Sequence, residues 1–193
     1  FPAVALIQNE VPRHPVRVYQ GDGIGVFTAE IQFEKEQDIA FGSTVLEWFR
    51  VGGFDQLIII DGILKPEKQI QGEGLFAVGA NAVARDRLKS LDLQTIQRGI
   101  VSGITGFLLS EGDRLNLDIT ALLSEASPMY PDVRAAAVAI EAITEMTGKE
   151  IPLSAMLENA RSIEQSVQEI IESATPLLPS PDDDDAINDP SFG

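Results

Sequence analysis

Short apolar runs alternate with amphipathic stretches along most of this chain. The apolar runs are bounded by turn residues and predict five strands, of which those at 3–8, 56–60 and 118–123 are expected to be buried. These strands lie at residues 3–8, 56–60, 75–79, 95–100 and 118–123. Apolar residues at helical spacing predict five amphipathic helices. The helices lie at residues 37–51, 81–91, 103–115, 132–147 and 153–173.

A β-hairpin is predicted between the first strand and the first helix. Residues 16–20 alternate between apolar and polar positions, and residues 24–31 form a second strand after the tight Gly-Asp-Gly connection at 21–23. Polar residues after the first strand, together with Pro12 and Pro15, predict a turn before the hairpin.

Single residues predict where two of the helices begin and where two of the strands end. Asn81 and Asp132 precede helical patterns and are predicted N-caps. The central strand is predicted to end in a turn at Asp61, and the strand at 118–123 is predicted to end before Glu125. Both ends are expected at the same edge of a parallel sheet.

The order of these elements predicts a three-layer α/β/α fold, with a mainly parallel sheet and an antiparallel hairpin insert. One domain is expected over residues 1–174, since a chain of 193 residues buries one substantial core. Residues 175–193 are rich in proline, serine and aspartate and predict a flexible acidic tail. Because Phe1 runs directly into an apolar strand, we expect further residues to precede it.

The composition argues against several classes of binding partner and of metal or catalytic site. A net charge of −16 at pH 7 opposes binding to nucleic acid or to anionic membranes. Cysteine is absent, which excludes disulfides, thiolate metal sites and cysteine nucleophiles, and the single histidine excludes a histidine-rich metal site. No apolar run reaches the ~18 residues that a bilayer requires. We therefore expect a cytoplasmic protein with no membrane, nucleic-acid, metal or cofactor partner.

The run Gly99-x-x-x-Gly103-x-x-Gly106 is the first candidate for a ligand site. Backbone N–H groups at a helix start bind phosphate, and Ser102 and Thr105 would add two hydroxyls. The spacing matches neither the dinucleotide fingerprint nor the P-loop, and no lysine follows. The alternative is that the glycines let a strand and a helix pack closely.

The titratable candidates are Asp61, Glu125 and the single histidine. Asp61 and Glu125 both follow apolar strands, and two carboxylates in one crevice would act as an acid–base pair or bind a divalent cation. The alternative is that Asp61 belongs to a turn and Glu125 caps a loop. His14 lies between Arg13 and Pro15, which predicts a rigid turn rather than a catalytic base.

A stiff apolar loop precedes the helix at 132–147. It contains Met129, Tyr130 and Pro131. Such a loop loses little entropy on binding, so it is a candidate contact with a partner protein. The alternative is that it covers the ends of the strands.

Five segments carry a recognisable pattern in one order. They are FPAVALIQNEVPRHPVRVY, LIIIDGI, LFAVGANAVARDRL, GIVSGITGFLLSEGDRLNLDITALLSEA and YPDVRAAAVAIEAITEMTG. The pattern resembles the archaeal branch of the proteasome assembly chaperone family. Together with the predicted helix at 153–173, it covers about residues 1–173. This resemblance implies a phosphorylase/hydrolase-like α/β/α fold and a strand–helix unit before residue 1. It also implies a homo-oligomer that binds proteasome α-subunits without ATP.

Some chaperones of this kind dock by a carboxyl-terminal hydrophobic–tyrosine–any motif, whose terminal carboxylate pairs with a lysine. The chain ends Ser191-Phe192-Gly193, with phenylalanine in place of tyrosine and serine in place of the hydrophobic residue. The resemblance therefore implies Phe192 and Gly193 as partner contacts. The alternative is an unbound, frayed terminus.

Two functions from different classes follow. The first is a non-enzymatic, assembly chaperone-like protein that binds proteasome α-subunits. The second is a nucleotide- or phosphate-dependent enzyme, a ligase or a phosphorylase/hydrolase-like protein, which would use the crevice near residues 99–106 and Glu125. No full catalytic set accompanies the glycine run, which favours the first.

Overall fold

The computed structural model describes residues 4–31, 33–64, 74–127 and 132–154. Most of the predicted helix at 153–173 and the acidic tail at 175–193 lie outside these ranges. The loop residues Met129, Tyr130 and Pro131 also lie outside them, as do Phe192 and Gly193.

Three strands from the middle of the chain form a mixed sheet, in the order β5-β7-β6. Its strands are β5 at Leu57–Leu64, β6 at Leu75–Gly79 and β7 at Ile119–Ala126. β5 is parallel to β7, whereas β6 is antiparallel to it. Among the described strands this mixed sheet stands in place of the mainly parallel one that the alternation predicts. Residues 65–74 are too short a connection for the helical crossover that a parallel neighbour requires.

Both β5 and β7 continue beyond their predicted ends. Asp61 lies inside β5, and Glu125 lies inside β7. The predicted turn at Asp61 is wrong because β5 keeps its pairing with β7 as far as Leu64 and Ala126. β5 is also more exposed than its apolar sequence predicts, since it lies at the edge of the described sheet.

Two antiparallel hairpins precede the sheet. Their strands are β1 at Leu6–Gln8, β2 at Val11–Arg13, β3 at Val16–Gly21 and β4 at Ile24–Ala29. The β3–β4 hairpin is confirmed, and its turn residues Asp22 and Gly23 have φ values of 51° and 75°, as a type I′ turn requires. Phe27 of this hairpin packs edge-on against Phe41 and Trp48, with ring centroids 5.4 and 5.5 Å away.

Two predictions about the shorter strands are wrong. Asn9 and Glu10 form the turn that was predicted after the first strand, but Pro12 is not part of a turn and pairs with β1. Ile7 in β1 is exposed rather than buried. Residues 95–100 form no strand, and Thr95 makes one isolated bridge to Ala77. In both cases the local apolar pattern does not specify which neighbour is available for pairing.

Four helices of the predicted set are present in the described residues. They are α1 at Asp38–Val51, α2 at Ala82–Ser90, α3 at Gly103–Leu115 and α4 at Val133–Thr147. Both predicted N-caps are confirmed: Asn81 Oδ1 accepts from Ala84 N at 2.9 Å, and Asp132 Oδ1 accepts from Ala135 N at 3.1 Å. These bonds satisfy amide groups that have no partner inside a helix.

Two apolar clusters contain side chains from the two opposite faces of β7. The first joins β7 to α1 and α3, and its buried members include Phe41, Val45, Phe49, Leu108, Ile119 and Leu123. The second joins Leu122 of β7 to Leu88 of α2 and Ala142 of α4. Because successive residues of a strand face opposite sides, helices pack against both faces of this sheet. The predicted three-layer order and the phosphorylase-like likeness stay predictions.

Ion pairs of arginine side chains support α2 and α3. The two terminal nitrogens of the Arg87 guanidinium donate to Asp118, at 2.9 and 2.5 Å, which fixes α2 to the chain just before β7. The hydrogen bond to Asp118 raises the pKa of Arg87. On the exposed side of α3, the hydrogen bond from Arg114 lowers the pKa of Glu111.

Candidate functional site

The amino end of α3 lies against β5, and one hydrogen bond joins two of the predicted site residues. The Thr105 hydroxyl donates to Asp61 Oδ2 at 2.6 Å. The other oxygen, Oδ1, accepts from the Gly62 amide at 2.7 Å. Thr105 is buried whereas Asp61 is exposed, so the pair lies at the surface end of the contact between α3 and the sheet.

The three predicted glycines have different structural surroundings. Gly103 begins α3 with a φ of 69°, a conformation that favours glycine. A Cβ on Gly106 would lie 2.3 Å from the Val101 carbonyl oxygen, so the absence of a side chain permits this approach. At Gly99 the nearest atom would be 3.4 Å away. Two of the three glycines therefore have a packing or backbone reason, which supports the close-packing interpretation.

The electrostatics of this helix start disfavour a phosphate. The amide ends of a helix attract negative charge, and the Asp61 carboxylate already lies against the first turn of α3 through Thr105. A bound phosphate would face that carboxylate. Ser102 is the N-cap residue, but its side chain makes no capping hydrogen bond. The phosphate-binding role of Ser102 and the glycine run stays a prediction.

Asp61 and Glu125 share a face of the sheet but their side chains diverge. Asp61 is opposite Leu123, two positions before Glu125, so the spacings of a sheet put the two Cα atoms about 8 Å apart. A Cβ on Gly74 would lie 2.7 Å from Glu125 Cδ, so the Glu125 side chain extends over Gly74, on the side of β7 away from β5. This arrangement gives an acid–base pair no support.

The other titratable candidates make structural contacts. The Val16 amide donates to His14 Nδ1 at 3.1 Å, which favours the predicted turn-forming role of this histidine. Within the described ranges, no group of three or more His, Cys, Asp or Glu side chains is arranged to hold a metal ion. No helix in the described part of the chain is long and apolar enough to cross a membrane.

One carboxylate joins the described residues on either side of 128–131, the segment predicted as a stiff loop. Asp132 Oδ2 accepts from the Ser127 amide at 3.2 Å, while Oδ1 caps α4. The end of β7 and the start of α4 are thus held together on either side of residues 128–131. Sequence reasoning identified Asp132 as a cap, but its second bond depends on the fold.

Exposed apolar side chains on β5 were not found from the sequence. Ile60 and Leu64 are 50% and 68% exposed and lie on one face of the strand, four residues apart. The run Gln56–Ile60 carries no alternation that would have indicated an open side.

Comparison with known proteins identifies relatives along nearly the whole chain. The sequence model of the PAC2 family matches residues 1–171. An uncharacterised protein of Methanocaldococcus jannaschii is 22% identical over 181 residues, covering 89% of this chain and 70% of that protein.

Solved structures share the fold, among them those of two archaeal proteins. One is the Pyrococcus furiosus protein PbaA, an archaeal homologue of proteasome-assembly chaperone, with 23% identity, a TM-score of 0.79 and coverage of 91% of this chain and 74% of PbaA. The other is PbaB of the same organism, an archaeal proteasome activator, with 22% identity and a TM-score of 0.70. The match covers 88% of this chain and 78% of PbaB. These similarities establish the fold that the chain adopts.

Proposed function

We propose a proteasome-binding role for this chain, which belongs to the PAC2 family. The family resemblance predicted from the five sequence segments is confirmed by that membership. The observation that carries the proposal is the fold shared with PbaA and PbaB over about nine-tenths of the chain. In our proposal, the chain binds proteasome α-subunits as a non-enzymatic, assembly chaperone-like homo-oligomer.

The geometry of the candidate crevice supports a binding role over a catalytic one. The carboxylate of Asp61 accepts two hydrogen bonds, and the side chain of Glu125 extends away from it over Gly74. A general base has to reach the proton that it removes, and a pair of carboxylates has to converge on one substrate. No specific contact at this site favours the nucleotide- or phosphate-dependent enzyme.

The loop with Met129, Tyr130 and Pro131 is the proposed partner contact on the folded body. Its two ends are joined through Asp132, which accepts from the Ser127 amide and caps α4. Fixed ends reduce the entropy that the loop loses when it binds, and aromatic side chains contribute strongly at interface centres. Phe192 and Gly193 form the second proposed contact, through the terminal motif.

The test is retention of isolated archaeal proteasome α-subunits on the immobilised full chain. We expect retention by the native chain. For Tyr130→Ala we expect the dissociation constant to rise by about thirtyfold, the scale of an interface hot spot. Tyr19→Ala is the matched control, because Tyr19 is an exposed tyrosine on the β3–β4 hairpin. Removal of Phe192 and Gly193 tests the terminal contact separately.

The possible results separate the parts of the proposal. No retention of α-subunits by the native chain, at low salt and micromolar concentration, would overturn the proteasome role. Retention that survives both Tyr130→Ala and the terminal deletion would keep the partner and remove these residues from the interface. Light scattering of the purified chain measures whether it is a homo-oligomer.

A further inference from the structure

The outer edge of β5 carries main-chain groups that have no strand beside them in the described part of the chain. The Leu57 amide donates to the Asp118 carbonyl oxygen at 2.9 Å, so it points towards β7. Main-chain N–H and C=O groups alternate sides along a strand, so those of the even-numbered residues from Ile58 to Leu64 point away from β7. β5 ends the order β5-β7-β6, and no described strand pairs with it on that side.

This edge is accessible and apolar. Ile60 and Leu64 are half or more exposed, and Gly62 between them is exposed as well. An open apolar edge offers its N–H and C=O groups to any extended chain, including a second copy of the same protein. Native proteins protect such edges, commonly with a charged side chain. The charged residue within β5 is Asp61.

The Asp61 carboxylate occupies the middle of the outer edge. Its Oδ1 accepts from the Gly62 amide at 2.7 Å, and Gly62 is one of the residues whose N–H points outward. Its Oδ2 accepts from the Thr105 hydroxyl at 2.6 Å, which holds the carboxylate in place from α3. Thr105 itself is buried in the first turn of that helix, so its hydroxyl has a fixed position.

An added strand would have to displace this contact. To extend the sheet, the strand places a carbonyl oxygen on the Gly62 N–H. That oxygen would compete with Asp61 Oδ1 for one donor, and the carboxylate would lose water and the Gly62 amide without gaining a new donor. We propose that Asp61, positioned by Thr105, blocks the addition of a strand to the outer edge of β5. This role requires no ligand and does not depend on proteasome binding.

Self-association of the full chain tests the proposal. We expect Asp61→Ala to form larger assemblies than the native chain in sedimentation velocity. The concentration at the midpoint of association should fall by about tenfold or more, because the competing acceptor is gone. Asp55→Ala is the matched control: Asp55 is an exposed aspartate just before β5, and its loss changes the net charge equally. It should associate as the native chain does.

A new charge on the same edge should reverse the effect. Ile60→Lys, added to Asp61→Ala, places that charge on β5, whereas Val83→Lys places it on α2, where Val83 is 58% exposed. We expect Ile60→Lys alone to return the midpoint concentration to within about threefold of the native value. A general effect of net charge would be equal in the two variants, so the difference assigns the contact to β5.

Amide exchange of the native chain covers the case in which Asp61→Ala fails to fold. After correction for intrinsic rates, we expect fast exchange at Ile60 and Leu64, whose amides point outward. Exchange at Gly62 should be slower by about tenfold or more, because its amide has an acceptor. Thr105→Val keeps the side-chain shape and removes the hydroxyl, so it should reduce the protection of Gly62.

The outcomes that would overturn the proposal are distinct. Native protection at Ile60 and Leu64 would show that the edge is already paired. Exchange at Gly62 as fast as at those two residues would show that its amide is not held by Asp61. A folded Asp61→Ala chain that associates no more than the Asp55 control, or equal rescue by the two lysines, would remove Asp61 from this role.

Discussion

Replacing Gly106 with alanine separates the two interpretations of the glycine run. If Gly106 serves close packing, the added methyl group destabilises the fold. If it serves only as part of a phosphate-binding loop, the change affects ligand binding and leaves stability near its native value. The distinction is sharp because a Cβ at this position would lie 2.3 Å from the Val101 carbonyl oxygen.

The magnitude follows from that contact. Real Cβ atoms essentially never approach other atoms within 3.0 Å, so the backbone of α3 and the Val101 carbonyl have to separate by about 0.7 Å. Such overpacking costs ~1–3 kcal/mol, and a carbonyl of the main chain cannot rotate away as a side chain can. Alanine recovers ~1 kcal/mol of helix propensity relative to glycine. Because the contact is with the main chain, the overpacking cost lies at the upper end of that range, and the expected net loss in the free energy of unfolding is about 2 kcal/mol.

Thermal and urea unfolding measure this loss. For a chain of this size, a loss of about 2 kcal/mol lowers the Tm by about 4–8 °C. Gly99→Ala is the control, because its Cβ would meet its nearest neighbour at 3.4 Å, and we expect a change within about 0.5 kcal/mol. A Gly106→Ala variant as stable as the native chain, or an equal loss in both variants, would refute the packing argument.

Three further changes test other contacts. Asp118→Asn is expected to lower the free energy of unfolding by about 1.5–3 kcal/mol in urea titrations, since it removes the carboxylate charge that Arg87 binds through two hydrogen bonds; a neutral result would show that solvent replaces the pair. Asn81→Ala should cost about 1–2 kcal/mol in the same assay, because it removes both the cap on the Ala84 amide and the donor to the Asn116 carbonyl oxygen; a loss under about 0.5 kcal/mol would contradict the capping role. Arg114→Gln should raise the pKa of Glu111 towards 4.5 in an NMR titration. Because the folded pKa of Glu111 is depressed, its stabilising contribution is present above the unfolded pKa and is lost as the pH falls through the folded pKa. Arg114→Gln should therefore remove this dependence of stability on acid pH. An unchanged pKa of Glu111 in the variant would contradict the assignment.

Local signals predicted the helices well. The N-caps at Asn81 and Asp132 and the left-handed Gly148 at the end of α4 act within one turn of the helix that they bound. Strand ends depend instead on residues far along the chain. β5 extends to Leu64 because Ala126 is there to pair with it, and no property of Asp61 reveals this.

The candidate site shows the same division. Thr105 and Asp61 were both identified as candidates from their positions at a helix start and after an apolar run. Their hydrogen bond depends on how α3 packs on β5, which the sequence pattern does not specify. The direction of the Glu125 side chain is set by the space above Gly74, a residue that carried no signal of its own.

The apolar run of β5 has a further consequence for how the sequence is interpreted. A run such as Gln56–Ile60 has apolar residues for both faces of the strand, and it predicts burial without saying what covers each face. The structure shows one face packed on α1 and α3 and the other only partly covered, at Ile58 but not at Ile60. The described contacts account for the first face alone: the open part of the second face begins at Ile60, where the apolar run itself gives no sign of a change.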